Sequence, residues 1–127
     1  MSDSCCSGGT QLIFACSGAA DVGAIADRAA RKLTCEGVGK MFCLAGVGGR
    51  VSGIMKTTEA ADKILAIDGC PLDCVKNCLK QAGFENFEHL QLAEIGFEKG
   101  TSPVNDAAVA TAVEKGKEIL SGGGCCS

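Results

Sequence analysis

The chain has 127 residues, 46% of them hydrophobic, with no Trp or Tyr and only five Phe. That length suits one domain with a real core, and the Ala- and Gly-rich composition suits a tightly packed α/β domain better than a β-sandwich. Twelve basic and fifteen acidic residues give a net charge of −3 without a basic cluster, which excludes nucleic acid as the expected partner.

Residues 1–10 and 121–127 are rich in Ser and Gly, and each contains an adjacent cysteine pair, Cys5-Cys6 and Cys125-Cys126. Both stretches read as flexible tails around a single domain over residues 11–120. Adjacent cysteines rarely pair with each other, because the ring they would close is strained. On a mobile arm such a pair suits a soft ion. Asp3, with no Lys or Arg before the first apolar run, argues against a signal peptide. Lys40 and Arg50 bracket the longest near-apolar stretch, too short for a membrane span. The expectation is a cytoplasmic protein without a membrane partner, in which ten cysteines serve metal or thiol chemistry and not disulfides.

The first element is the continuous apolar run Gln11 to Ala15, a buried parallel strand ending at Cys16-Ser17-Gly18. Val22, Ile25, Ala26, Ala29, Ala30 and Leu33 then recur at helical spacing. Ser17 is placed to cap that helix, Asp21 to compensate its dipole, and Cys35 falls in the loop after it. Met41 to Ala45 reads as a second strand running into Gly46-Val47-Gly48-Gly49, a close-turning loop. A helix over about Ser52 to Asp62 follows, then a third strand, Lys63 to Asp68.

The densest motif comes next: Asp68-Gly69-Cys70-Pro71-Leu72-Asp73-Cys74, with Cys78 four residues on. Leu72, Val75 and Leu79 share one helical face, Cys74 and Cys78 nearly the opposite one. Pro71 suits the first helical position, which puts Cys74 and Cys78 one and two turns into the helix. A helix N-terminus favours thiolate over thiol, so Cys70 and Cys74 are expected to be activated there. Phe87 to Leu92 is a weaker fourth strand. It carries His89, the only histidine, placed early and so expected far from the strands' C-terminal ends. Pro103 and Asn105 open a last helix reaching Leu120.

The order β-α-β-α-β-α-β-α predicts a three-layer α/β/α fold with a four-stranded parallel sheet, flavodoxin- or Rossmann-like, in strand order 2-1-3-4. Ligands of open α/β sheets bind at the C-terminal edge, at the switch point between strands 1 and 3. Cys16, Cys43, Cys70 and Cys74, distant in sequence, all approach that edge. Four thiolates there suit a tetrahedral Zn2+ site, and an iron–sulfur cluster or another soft ion would use the same donors. Asp68 beside Cys70 could orient a ligand or simply cap the next turn.

Asp68-Gly69-Cys70, extended as DGCPLDC, together with Ala15-Cys16-Ser17-Gly18 and Cys43-Leu44-Ala45-Gly46-Val47-Gly48, resembles the DGC-domain family of zinc-binding proteins over about residues 11–99. The resemblance implies a zinc-binding role without an established reaction, in a family often associated with metal or metalloid handling. Cys35 and the terminal pairs are not part of that pattern. Other motifs fail: six residues, not five, separate Cys43 from Arg50, which excludes a phosphatase loop, and no Walker Lys-Ser/Thr follows the glycines. The alternative to a metal protein is a thiol redox or sulfur-transfer enzyme with Cys70 as nucleophile and Cys74 or Cys16 as its resolving partner. Its spacing is CxxxC, however, where thioredoxin-type sites use CxxC.

Overall fold

The computed structural model describes residues 10–122, so the Cys5-Cys6 and Cys125-Cys126 pairs lie outside the described residues. Four strands, β1 (Gln11–Ala15), β2 (Lys40–Met41), β3 (Lys63–Asp68) and β4 (Glu88–Gln91), form one sheet in the order β2-β1-β3-β4. All three pairings are parallel, with Leu12 opposite Lys40, Leu12 opposite Ile64, and Leu65 opposite Glu88. The helices are α1 (Asp21–Cys35), α2 (Leu44–Gly48), α3 (Ser52–Ala60), α4 (Cys74–Gln81) and α5 (Asp106–Gly122). The predicted fold class and strand order are those of the structure.

Alternation along the strands builds the layers, because successive side chains point to opposite faces. Ile13, Ala15, Leu65, Ile67 and Leu90 face α1 and α5, meeting Ile25, Leu33, Ala112 and Val113. Leu12, Phe14, Ile64 and Ala66 face the other way, against Val47, Val75 and Leu79. Phe14, Ile13 and Leu65 are fully buried, each burial contributing about 1.5–3 kcal/mol. The two central strands, β1 and β3, are therefore apolar between their ends, with Gln11 and Lys63 at the N-terminal edge and Asp68 at the C-terminal one.

Lys63 closes the N-terminal edge. Its backbone N–H donates to Thr10 O at 3.2 Å, and its Nζ donates to Leu120 O at 2.7 Å. One residue thus holds both ends of the domain.

Several local expectations are corrected. The second strand is only Lys40–Met41, not Met41 to Ala45; Phe42 N still reaches Ile13 O at 2.8 Å, but Cys43 then turns the chain into α2. Gly46 and Gly48 belong to that helix and not to a loop, and Gly49 is its C-cap. Ser17 does not cap α1: it is left-handed (φ 50°), and its hydroxyl donates to Asp27 Oδ1 at 2.7 Å. Asp21 does more than offset a dipole, since its carboxylate accepts the amides of Gly100 and Ser102 and ties loop 96–105 to the start of α1. Cys35 ends α1 instead of lying in a loop. Asn105 does open the last helix, its Oδ1 accepting from Ala108 N at 2.9 Å.

Candidate metal centre

Cys16 follows β1 directly, and its N–H donates to Ile67 O at 3.1 Å, which extends the central pairing to the cysteine itself. The next residue, Ser17, is pinned through Asp27, whose other carboxylate oxygen accepts from Arg31 Nε at 2.7 Å. Burial pushes the Asp27 pKa up, but the hydrogen bonds from Arg31 and Ser17 outweigh it and leave the carboxyl below its ordinary value. The turn after β1 is thus held by charge as well as by backbone.

Cys43 is the N-cap of α2, and its Sγ accepts from Gly46 N at 3.3 Å. Sulfur takes the place of the usual hydroxyl or carboxylate cap.

Cys70 and Cys74 enter through a corrected geometry. Residues 70–73 form a turn closed by Asp73 N to Cys70 O at 3.2 Å, and α4 begins at Cys74, not at Pro71. Cys74 is therefore the first helical residue, and Cys78 lies one turn in, each a turn earlier than the spacing predicts. Leu72 belongs to the turn and is 65% exposed, so it does not share the buried face of Val75 and Leu79. Asp73, left-handed at φ 54°, makes no side-chain cap. The cap comes from Asp68, five residues before it: Oδ1 accepts from Val75 N at 2.7 Å and Oδ2 from Lys76 N at 3.1 Å.

That borrowed cap overturns one expectation. With Asp68 occupying the helix amides, the N-terminus of α4 does not lower the Cys74 pKa. Burial raises it, and the charges of Asp68, Cys16 and Cys70 raise it further, against the pull of Lys99. Burial also raises the Cys78 pKa, with Arg50 opposing.

Three of the four expected ligands reach one cavity. Cys16, Cys43, Cys74 and Cys78 line a single open cavity of about 590 Å³, and Cys70 is close enough to act electrostatically on Cys74. Cys35 lines a neighbouring groove that Cys43 also borders. The thiols are not drawn up into a closed set. Among the described residues, the one trio of candidate ligands whose donor atoms all lie within 4.8 Å of one another is Asp68, Asp73 and His89.

His89 is the residue whose position the sequence obscures. Its Nε2 lies 2.9 Å from Asp68 Oδ2 and 3.5 Å from Asp73 Oδ1. Gln91 Nε2 donates to the same Asp73 oxygen at 2.6 Å. His89 pairs with Ala66 in the sheet, because β4 starts opposite Leu65 and runs only over the second half of β3. Early in this strand is therefore already near the C-terminal edge. The trio could hold a cation, but every carboxylate oxygen in it except Asp73 Oδ2 already has a protein partner.

An α/β sheet that gathers cysteines at its C-terminal edge through an Asp-Gly-Cys turn defines a cysteine-rich domain of the DGC type. A family model described as DGC domain matches residues 12–116, and the chain belongs to that family. It is also similar to the anaerobic and virulence modulator AnvM of Pseudomonas aeruginosa, 41% identical over 88 residues that cover 69% of this chain and 67% of the relative. No solved structure matches. Among the described residues no helix is long and apolar enough to cross a membrane.

Proposed function

We propose that the domain binds zinc, or another thiophilic metal or metalloid ion, through Cys16, Cys43, Cys70 and Cys74. The observation that carries this reading is the delivery of thiols from three separate segments to one open cavity at the edge where such sheets bind ligands. The donor set fits: soft sulfur ligands, one of them already accepting an amide at Gly46, with Lys99 near enough to moderate the charge of Cys74. A bound cation supplies the positive charge that Cys74 lacks, and each thiol releases its proton as it ligates.

Four thiolates on zinc, with Zn–S near ~2.3 Å, stand closer together than these cysteines do. Loading therefore draws in the turn over residues 69–73 and the start of α2, the two ligand-bearing segments outside the sheet. An ion held by segments that move is suited to uptake and release, so we place the protein in metal or metalloid handling, as a carrier or sensor and not as an enzyme. Cysteines that must stay reduced also suit a relative named as an anaerobic modulator.

The test is metal content per chain by elemental analysis of anaerobically purified protein, with Cys16→Ser, Cys43→Ser, Cys70→Ser and Cys74→Ser alongside. About one zinc in the parent, bound more weakly in each variant, supports the site. A folded parent that takes up neither zinc nor iron overturns it and leaves thiol redox chemistry as the working reading.

A further inference from the structure

The motif Asp68-Gly69-Cys70-Pro71-Leu72-Asp73-Cys74 ends four residues before Cys78. The structure gives Cys78 a place. It stands four residues after Cys74 on α4, so the two side chains share one face, with Cβ atoms about 5–6 Å apart. It lines the same cavity as Cys16, Cys43 and Cys74, whereas Cys70 is not among the lining residues. It also lines the adjoining cavity of about 390 Å³, so its thiol sits where the two meet. The wall beside it is Gly48, where a side chain would reach within 3.7 Å of Cys78 Sγ.

A second, independent feature points the same way. Arg50 lines the adjoining cavity with Cys78, and its guanidinium is fixed there: Nη1 donates to Val47 O at 2.9 Å and Gly48 O at 3.1 Å, and Nη2 to Gln81 O at 2.9 Å. Arg50 itself is held at φ 57°, a left-handed conformation uncommon for a residue with a side chain. A guanidinium tethered by three carbonyls is a permanent positive charge facing a half-buried thiol. Cys78 Sγ has only a long 3.9 Å contact to Leu44 O, which leaves it available to an ion.

We propose that Cys78 is a fifth thiol of the site, ligating a thiophilic ion together with Cys16, Cys43 and Cys74 in alternation with Cys70. The inference rests on the metal-binding reading above and deepens it. Two ligand sets then share three thiols and differ in the fourth. As Cys78 ligates it gives up a proton, and Cys70 takes one as it leaves, so the exchange conserves charge and needs no oxidant. The ion moves along the start of α4, from the Asp-Gly-Cys turn to the inner wall, without ever losing its other three ligands. That is a route for handing an ion on, which a closed four-cysteine site does not offer.

The experiment uses the full chain under anaerobic conditions with Co2+ as the probe, whose sulfur-to-metal charge-transfer band reports thiolate ligation. The parent shows the band. Cys70→Ser retains it at reduced affinity, and adding Cys78→Ser weakens binding by a further factor of roughly ten and lowers the band. In zinc-loaded Cys70→Ser protein, mass spectrometry after iodoacetamide finds Cys78 protected while the exposed Cys35 reacts. This footprint needs no second substitution, so it holds even where the double variant does not fold. Loss of all Co2+ binding in Cys70→Ser, no effect of the added Cys78→Ser, or alkylation of Cys78 at the metal-free rate overturns the inference and leaves the four-cysteine site standing. A parent with no charge-transfer band overturns the metal-binding reading itself, a result distinct from the other three.

Discussion

His89 Nε2 stands 2.9 Å from Asp68 Oδ2, and the same buried carboxylate accepts the second and third amides of α4. Asp68 is 1% exposed. It joins β3, β4 and α4 at one point, directly under the cysteine turn. Asp68→Asn replaces one acceptor with a donor that faces an amide or the ring, and the unpaired buried group costs about 2–3 kcal/mol in urea unfolding. A loss below about 0.5 kcal/mol would show that the carboxylate is not what starts the helix.

The oxygens of the Asp68, Asp73 and His89 trio are mostly taken by protein partners, and on the proposed reading the trio serves as this pin while the cysteines hold the ion. His89→Gln is therefore expected to lower stability by about 1 kcal/mol while zinc content per chain stays at the parent value. Loss of zinc in His89→Gln with the cysteines intact would move the metal centre from the thiols to the carboxylates.

Gly69, the middle residue of the Asp-Gly-Cys turn, has a steric reason to be glycine. A Cβ there would stand 2.7 Å from Val22 C and 2.8 Å from Val22 O, backbone atoms of α1 that cannot swing away. Gly69→Ala pushes the end of β3 off the first turn of α1 and costs about 1–3 kcal/mol, read by thermal or urea unfolding. Gly53→Ala, in open space within α3, is the control and is expected to be neutral or stabilising.

Acid should loosen loop 96–105 before it unfolds the domain. The amides of Gly100 and Ser102, foremost among its partners, hold the Asp21 carboxyl below its ordinary value. A group whose folded pKa is depressed contributes stability above its unfolded pKa and loses it as pH falls through the folded one. The Gly100 and Ser102 amide resonances are therefore expected to titrate together below about pH 4, and to exchange faster with solvent at that pH. In Asp21→Asn the same amides should show no such titration; a shared transition that survives the substitution would assign it to another carboxylate.

Zinc loading is expected to slow amide exchange at residues 69–76 and 42–47 by local ordering, beyond the slowing that added global stability gives the centres of β1 and β3. No excess slowing at those two segments would mean that the ion acts on global stability alone and does not draw them inward.

The sheet was legible because β1 and β3 are apolar on both faces, and because alternating strands and helices leave few topologies open. The expected approach of Cys16, Cys43, Cys70 and Cys74 to one edge was drawn from that topology alone, and the structure brings Cys16, Cys43 and Cys74 to one cavity. The errors lie where local pattern and tertiary context diverge. Met41 to Ala45 reads as a strand because it is apolar, but β2 is an edge strand with two paired residues, and Cys43 finds its hydrogen-bond partner in the following helix. Leu72 has the spacing of a core residue but lies in a turn that no helical period describes. The cap on α4 was invisible because Asp68 acts from outside the helix, across the cysteine turn. His89 was misplaced because the length of a strand in sequence does not say where along its neighbour it begins.

Lys63 holds Thr10 with its backbone and Leu120 with its side chain, so the domain's two ends leave side by side from the margin opposite the thiols. A short peptide could bridge them and the chain be reopened elsewhere, for example between α3 and β3, with the order of the core preserved. Anchored to a surface by either end, the protein presents its cysteine face outward.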